Sequence, residues 1–358
     1  MKTRVVVAMS GGVDSAVAAA LLAREGCDVV GVTLRLGDLS ANGLGVSRCC
    51  SQEDVEMARA VCLRLGIAHD VLEMGAAFRR AVIEPFVESY LAGETPLPCA
   101  HCNAFVKFGE LLEAAFRMGA ETLATGHYAR VAREGNSFVL RRGLDRDKDQ
   151  SYFLFALEPW QLEHVRFPLG GLTKAEVRAL AAELGLPNAS KEESQEVCFV
   201  PPDGSYVRVL ETLAAERLPG DGEVVDRDGR VLGRHGGYHR FTVGQRRGLG
   251  VADGRRLYVL ELQPGSNRVV VGTQVEASRR RLLLREVNWL APRTTGAVEA
   301  EVQVRSRNQP ACATVRLGEN GTAEVEFAEP VLSPAPGQAA VCYDGDRLLG
   351  GGWIVSCA

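Results

Sequence analysis

No apolar run in this 358-residue chain approaches the roughly 20 residues that a membrane-spanning helix needs, so a membrane protein is not expected. The opening Met1-Lys2-Thr3-Arg4 leads straight into a β-branched run and leaves no room for an apolar leader. Ten cysteines without an export signal then predict a reducing, cytoplasmic setting, where thiols serve chemistry, metal binding or packing. Lysine is missing altogether after Asp203, where the chain carries 20 Arg against 18 acidic residues. That stretch is therefore slightly basic within a chain of net charge −4. Arginine forks suit phosphate, although a preference for Arg codons would give the same count. No internal repeat is visible, and the ordinary charged and apolar fractions argue against disorder.

What is present begins at the N-terminus. Arg4-Val-Val-Val-Ala-Met9 reads as a buried strand, Ser10-Gly11-Gly12-Val13-Asp14-Ser15 as a tight turn, and Ala16 to Ala23 as the body of a helix. A strand, a Gly-containing turn and a helix start aim unpaired N–H groups and a positive dipole end at one point, where an anion belongs. Glycines let a ligand approach the backbone, and Ser10 and Ser15 add hydroxyls. No Gly-Lys-Ser/Thr closes the loop, so it is not a Walker A motif.

Residues 1–203 alternate strand and helix, which predicts an α/β domain with a doubly wound parallel sheet. Its expected elements are strands at 28–34, 67–72 and 122–125 and helices at 52–65 (capped by Ser51), 78–92 and 110–118, with a loop at 38–48. In such sheets ligands sit beyond the carboxyl ends of strands, so Ser10, Leu34 and Gly126 should converge. Residues 204–275 read as a small β-rich module with turns near 220–222, 226–229, 253–254 and 264–265. Residues 276–358 read as a last β unit, a small barrel or sandwich of five or six strands.

The cysteines leave three readings open. Cys99-Ala-His-Cys102 could be half a zinc site, but no second pair follows at useful spacing. It could be a redox pair, or one of its thiols could form or attack a persulfide together with Cys198. Cys27, Cys62, Cys312, Cys342 and Cys357 lie in apolar or strand contexts and read as packing or surface thiols. Cys49 and Cys50 could be packing or part of a polar loop.

The Ser10–Ser15 loop resembles the PP-loop of ATP pyrophosphatases, which transfer AMP from ATP to a carbonyl oxygen so that a nucleophile can displace it. Further blocks narrow the resemblance. They are Cys49-Cys50-Ser51, Cys102-Asn103-Ala-Phe-Val-Lys107-Phe108, Gly126-His127-Tyr128-Ala129-Arg130, Lys148-Asp149-Gln150-Ser151-Tyr152-Phe153, Cys198-Phe199 and Thr242-Val-Gly-Gln245-Arg-Arg-Gly248-Leu249-Gly250. In this order, and over nearly the whole chain, they resemble the bacterial tRNA-specific 2-thiouridylase family.

That resemblance implies sulfur transfer from a cysteine persulfide to C2 of the wobble uridine in tRNAs for Lys, Glu and Gln. It implies an adenylated uridine, ATP with Mg2+, and a cysteine desulfurase or relay protein as sulfur donor. By the same resemblance Cys102 is the nucleophile and Cys198 the persulfide carrier. Ala8, Met9, Ser10, Gly11, Gly12, Val13, Asp14, Ser15, Leu34 and Gly126 would hold ATP. Leu97, Pro98 and Cys99 would meet the target base, and His127, Lys148, Asp149, Gln150, Arg305, Ser306 and Gln338 would contact tRNA. The chain departs from the family's commoner pattern in Leu97-Pro98, where Asn-Pro is usual, and in Arg305-Ser306-Arg307, where Arg-Tyr-Arg is usual. The second change removes an aromatic that could stack on a base.

Physical chemistry adds expectations of its own. A thiolate near neutral pH wants nearby positive charge, for which Lys107 and His127 are candidates. Asp14 is expected to orient backbone or magnesium rather than act as a base. Arg246, Arg247, Arg305 and Arg307 could contact RNA phosphates or be solvated surface charges, and Lys148-Asp149-Gln150 reads as base recognition. The polar run 191–196 could fold only when RNA docks. Competing functions are a PP-loop amidotransferase acting on a small carbonyl substrate, which needs no essential thiol, and a non-catalytic tRNA-binding or metal-sensing protein.

Overall fold

Val5, Val6 and Val7 are fully buried, as a β-branched run between two neighbouring strands should be. In the computed structural model, which describes residues 2–37, 51–192, 197–201, 205–251, 254–292 and 296–358, they form the middle of β1 (Arg4–Ala8). The chain divides into two compact units. The first comprises Met1–Ile83, Cys99–Ser205 and Asp346–Leu348, and the second Glu84–Pro98, Tyr206–Gly345 and Leu349–Ala358.

The first unit is built on a five-stranded sheet. Its strands are β1, β2 (Asp28–Arg35), β3 (Ala68–Glu73), β4 (Thr122–Ala124) and, after the hairpin β5 (Ala129–Glu134) and β6 (Ser137–Arg142), β7 (Val165–Arg166). The order β3-β2-β1-β4-β7 is parallel throughout. The direction of winding reverses between β1 and β4, and the crevice beyond the carboxyl ends at such a switch point is where ligands bind. Helix α1 (Val13–Arg24) follows β1, and its run Ala16 to Ala20 packs into the core without exposure. Helix α2 (Gln52–Leu65) starts at Ser51 through a capping box with Asp54.

Two local expectations change. The antiparallel hairpin β5–β6 interrupts the predicted strand–helix alternation; its turn signal, Gly135-Asn136, is present in the sequence. The helix expected from Glu110 begins at Pro98 instead. It runs α-helical over Pro98–His101, π-wound over Cys102–Leu111 and α-helical again over Leu112–Arg117. The π stretch breaks the 3.6-residue period on which the sequence reading depended. The loop expected at 38–48 and the pair Cys49-Cys50 lie outside the described residues.

The second unit holds two β structures. The strands β8 (Gly222–Val225), β9 (Val231–His235), β10 (Tyr258–Gln263) and β11 (Arg268–Gly272) make a sheet in the order β10-β11-β8-β9. A helix at Tyr206–Leu213 precedes them, which the strand-rich reading did not include. The strands β12 (Ser278–Trp289), β13 (Ala297–Gln303), β14 (Ala311–Leu317), β15 (Ala323–Leu332), β16 (Ala339–Asp344) and β17 (Arg347–Cys357) follow round in the order β12-β15-β14-β13-β16-β17. Pairing of β12 with β17 closes this ring into an antiparallel barrel. Leu282, Leu284, Val315, Val325, Phe327 and Ile354 fill it. Among the described residues no helix is long and apolar enough to cross a membrane.

Candidate active site

The Ser10–Ser15 turn lies between β1 and α1 at the switch point. Gly12 occupies the N-cap of α1 and no side chain caps that helix, so its first N–H groups have no side-chain acceptor and offer a place for an anion. Inside the turn, the Ser10 amide donates to Ser15 Oγ at 3.2 Å and Ser15 Oγ donates to the Gly12 carbonyl at 3.0 Å. Gly11 has φ +71°, and a Cβ there would sit 2.6 Å from the Asp54 carbonyl oxygen. No other residue fits. The Gly11 carbonyl is drawn away from the ligand side by Asn188 Nδ2 at 3.1 Å and Lys191 Nζ at 3.3 Å, and Lys191 also reaches Asp54 Oδ1 at 2.6 Å. Gly126, just past β4, packs so closely that a Cβ would lie 2.8 Å from the Asp14 carbonyl carbon and the Ser15 nitrogen. The predicted convergence of Gly126 with the loop is therefore realised, and Leu34 is buried at the end of β2.

Asp14 holds neither backbone nor an exposed position. Its carboxylate accepts from Lys174 Nζ at 2.7 and 2.9 Å and from the Tyr128 hydroxyl at 2.8 Å. Lys174 is buried at the start of the helix Lys174–Glu183, and its ammonium lies 5.8 Å from the Tyr128 ring centre. Sequence reasoning did not single out Lys174 or Asn188, and it named Tyr128 and Lys191 without connecting them to the turn. Each comes from a segment far along the chain, and a lysine behind an ordinary capping threonine carries no local signal.

The thiols belong to the same unit. Cys102 is buried at the first position of the π-wound segment. In an α-helix a residue five places on lies about 140° round the axis, whereas i→i+5 bonding brings it back to the same face. Lys107 therefore lies nearer the face of Cys102 than it would in an α-helix. Its ammonium donates to Asn103 Oδ1 at 3.0 Å, and Asn103 Nδ2 donates to the Phe153 carbonyl at 3.0 Å. Cys198 is partly buried beside Phe199, whose ring packs edge-on against Phe78. The described cysteines are all free thiols.

His127 does not supply charge, contrary to expectation. Desolvation, and then the Lys107 ammonium, hold its pKa well below the usual value, so the ring is neutral at pH 7. Its Nδ1 shares a 2.6 Å hydrogen bond with the Thr125 hydroxyl, and its ring packs beside both Phe108 and Phe167, which also touch each other. Of the two candidates, Lys107 remains as the cation. Burial pushes Cys62 and Cys357 up to about 11 and Cys342 up to about 12, as packing thiols should be. Among the described residues, which do not include Cys49 and Cys50, no three His, Cys, Asp or Glu side chains converge as metal ligands.

Residues 3–202 match the family described as the tRNA methyl transferase HUP domain, residues 210–273 the tRNA methyl transferase PRC-barrel domain, and residues 279–354 the aminomethyltransferase beta-barrel domain. The tRNA-specific 2-thiouridylase MnmA of Rhodospirillum centenum is 52% identical over 99% of this chain and 92% of its own length. That of Acidithiobacillus ferrooxidans (strain ATCC 53993) is 49% identical over 98% of both chains. The chain belongs to the tRNA-specific 2-thiouridylase family. Brucella suis has another relative of that name, 49% identical over 98% of this chain and 90% of its own.

The positions that the 2-thiouridylase family's tRNA contacts would occupy differ in how they are engaged. Asp149 is almost wholly buried, pairs with Arg142 at 3.1 Å and accepts from the Gly143 amide and from the Ser151 amide and hydroxyl. Gln150 Oε1 accepts from the Tyr128 amide at 3.0 Å, which steadies the residue whose hydroxyl reaches Asp14. Lys148 is partly exposed beside them. In the second unit, Gln338 Nε2 donates to the carbonyls of Thr95 and Pro96 at 3.1 and 3.0 Å, directly before Leu97-Pro98, both buried. Arg305 Nη2 donates to the carbonyls of Val243 and Ser333 at 2.7 and 3.0 Å, Ser306 is exposed, and Cys99 is partly exposed.

Proposed function

We propose that this chain replaces the C2 oxygen of the tRNA wobble uridine by sulfur at the expense of ATP, acting on the tRNAs for Lys, Glu and Gln. The observation that carries the reading is the uncapped start of α1 behind Ser10–Ser15, in a unit that also holds Cys102 and Cys198. The open N–H groups and the helix dipole hold the triphosphate, and Lys174 shifts from Asp14 to phosphate oxygens when they arrive. Magnesium would accompany the triphosphate and offset its charge, and Asp14 is the carboxylate in the turn that would hold it.

The uridine O2 takes AMP and pyrophosphate is released. The terminal sulfur of a Cys198 persulfide attacks C2, and AMP departs with the electron pair of the C2–O bond. The Cys102 thiolate then attacks Sγ of Cys198. The S–S electron pair passes to the transferred sulfur, 2-thiouridine is released and a Cys102–Cys198 disulfide remains. An external thiol reduces it, and a cysteine desulfurase or relay protein reloads Cys198.

Purified protein given ATP, Mg2+, a persulfide donor and unmodified tRNA should yield 2-thiouridine and AMP, read by nucleoside mass spectrometry. Cys102→Ser and Cys198→Ser should each abolish the thiolated nucleoside while ATP still binds. Normal product from either variant would end the two-thiol route, and AMP release that depends on ammonia but not on RNA would replace the whole reading.

A further inference from the structure

Asp14 is held from two sides, and both supports lead back to one turn of the first unit. Its carboxylate takes the Lys174 ammonium and the Tyr128 hydroxyl. A helix leaves its first N–H groups without partners of its own, and at the start of Lys174–Glu183 the Lys174 amide donates to Asp145 Oδ2 at 2.9 Å. Tyr128 is held through its main chain: its amide donates to Gln150 Oε1 at 3.0 Å, and its carbonyl accepts from the Gln150 amide at 2.9 Å. Asp145 and Gln150 both belong to residues 143–151, which follow β6.

That turn is densely bonded to itself. Asp145 Oδ1 accepts from the Asp147 amide at 3.2 Å, and the Asp145 carbonyl accepts from the Lys148 amide at 3.1 Å. Asp149 closes the other side by accepting from the amides of Gly143 and Ser151. Gly143 lies so close to Tyr128 that a Cβ there would sit 2.8 Å from the Tyr128 carbonyl oxygen. The Lys174 side chain is only 11% exposed, which leaves it little freedom to absorb a shift of its own backbone. A displacement of the turn is therefore passed on to the start of the Lys174 helix and to Tyr128 together, and so to both donors on Asp14. A continuous chain of packed and hydrogen-bonded groups of this kind carries energetic coupling between sites.

We propose that residues 143–151 couple RNA binding to the nucleotide site, with Asp145 as the positioning residue of the arm that runs through Lys174. The coupling rests on the tRNA reading above, which puts RNA at Lys148 to Gln150, and adds that RNA and ATP each change the affinity of the chain for the other. The element with two conditions is Lys174, on Asp14 in one and on phosphate in the other, and Asp145 fixes where its helix starts from. Linkage makes the effect equal in the two directions.

The test is a binding cycle on the full chain, with α,β-methylene-ATP in place of ATP so that no AMP is transferred. Bound tRNA should change the affinity for the analogue by about fivefold or more, and the analogue should change tRNA affinity by the same factor. In D145A the factor should fall below about twofold, whereas D145N, whose amide oxygen still accepts the Lys174 amide, should keep most of it. D147A removes an exposed acid from the same turn and leaves both arms in place, so it should keep the wild-type factor. On the wild-type chain, tRNA alone should alter hydrogen exchange at residues 174–177, and the analogue alone at residues 145–150. This measurement decides the matter if D145A does not fold, and no change in a chain that binds both ligands overturns the coupling. A wild-type factor in folded D145A also overturns it, and if the analogue merely binds more weakly there, Asp145 supports the helix start and nothing more. Loss of the factor in D147A would make it an effect of charge and overturn the assignment to Asp145. A factor of one in the wild type overturns the coupling while leaving tRNA thiolation standing. A wild-type chain that neither binds nor thiolates tRNA removes the functional reading, and the coupling with it.

Discussion

At the scale of single residues, distant side chains finish the Ser10–Ser15 turn. Lys174 is the sharpest case: a nearly buried ammonium on Asp14, supplied by a helix that starts 160 positions later. A charge-assisted contact of this kind is worth about 1.5–3 kcal/mol. Lys174→Met should therefore weaken ATP binding about ten- to a hundredfold, measured by calorimetry, with little change in tRNA affinity. Gly126 is tight in a different sense. The Cβ of Gly126→Ala would meet backbone atoms of α1 at 2.8 Å, and backbone cannot rotate away as a side chain can. The variant should lose about 1–3 kcal/mol of stability and much of its ATP affinity. Wild-type ATP binding would show that the helix start has more room than this packing allows.

At the scale of elements, the segments expected to read tRNA are also elements of construction. Asp149 ties Arg142 to the turn before Tyr152 with side chains nearly out of solvent. Removing one member of a buried pair strands the other, so Asp149→Ala should cost about 3–5 kcal/mol. Denaturant unfolding will show that loss, and tRNA affinity per folded molecule distinguishes it from a recognition role. Gln338 stands in the same relation to Thr95 and Pro96. Gln338→Ala should cost about 1–3 kcal/mol and raise hydrogen exchange at residues 95–97. The π-wound middle of the helix that carries Cys102 shows why element boundaries were hard to read there. Its buried positions Cys102, Asn103, Ala104, Val106, Phe108 and Leu111 follow no 3.6-residue rhythm, and only the final α-helical turns were recognisable as a helix.

At the scale of the whole molecule, the histidines set a pH dependence. His69, His127, His235 and His239 are all held below the ordinary value, chiefly by desolvation. Between about 6.5 and the lower folded values, the unfolded chain takes up protons that the folded chain refuses. Stability is therefore full above that window and falls as pH drops through it. Thermal melts from pH 7.5 downward should show the decline beginning near 6.5, and an unchanged midpoint down to pH 5 would contradict the neutral-histidine assignment. By itself the sequence determined what depends on neighbours along the chain: the strand, turn and open helix start at Val5–Arg24, the Ser51 cap, and the alternation that makes β12–β16 strands. It also carried, through ordered motif blocks, the identity of Cys102 and Cys198 as the thiols to watch. Only tertiary structure decided that the last β unit closes through β17, that Asp14 faces Lys174 and that His127 is neutral. Each of these depends on which distant groups are brought within a few ångströms and how much water is removed from between them, and no local pattern encodes either quantity.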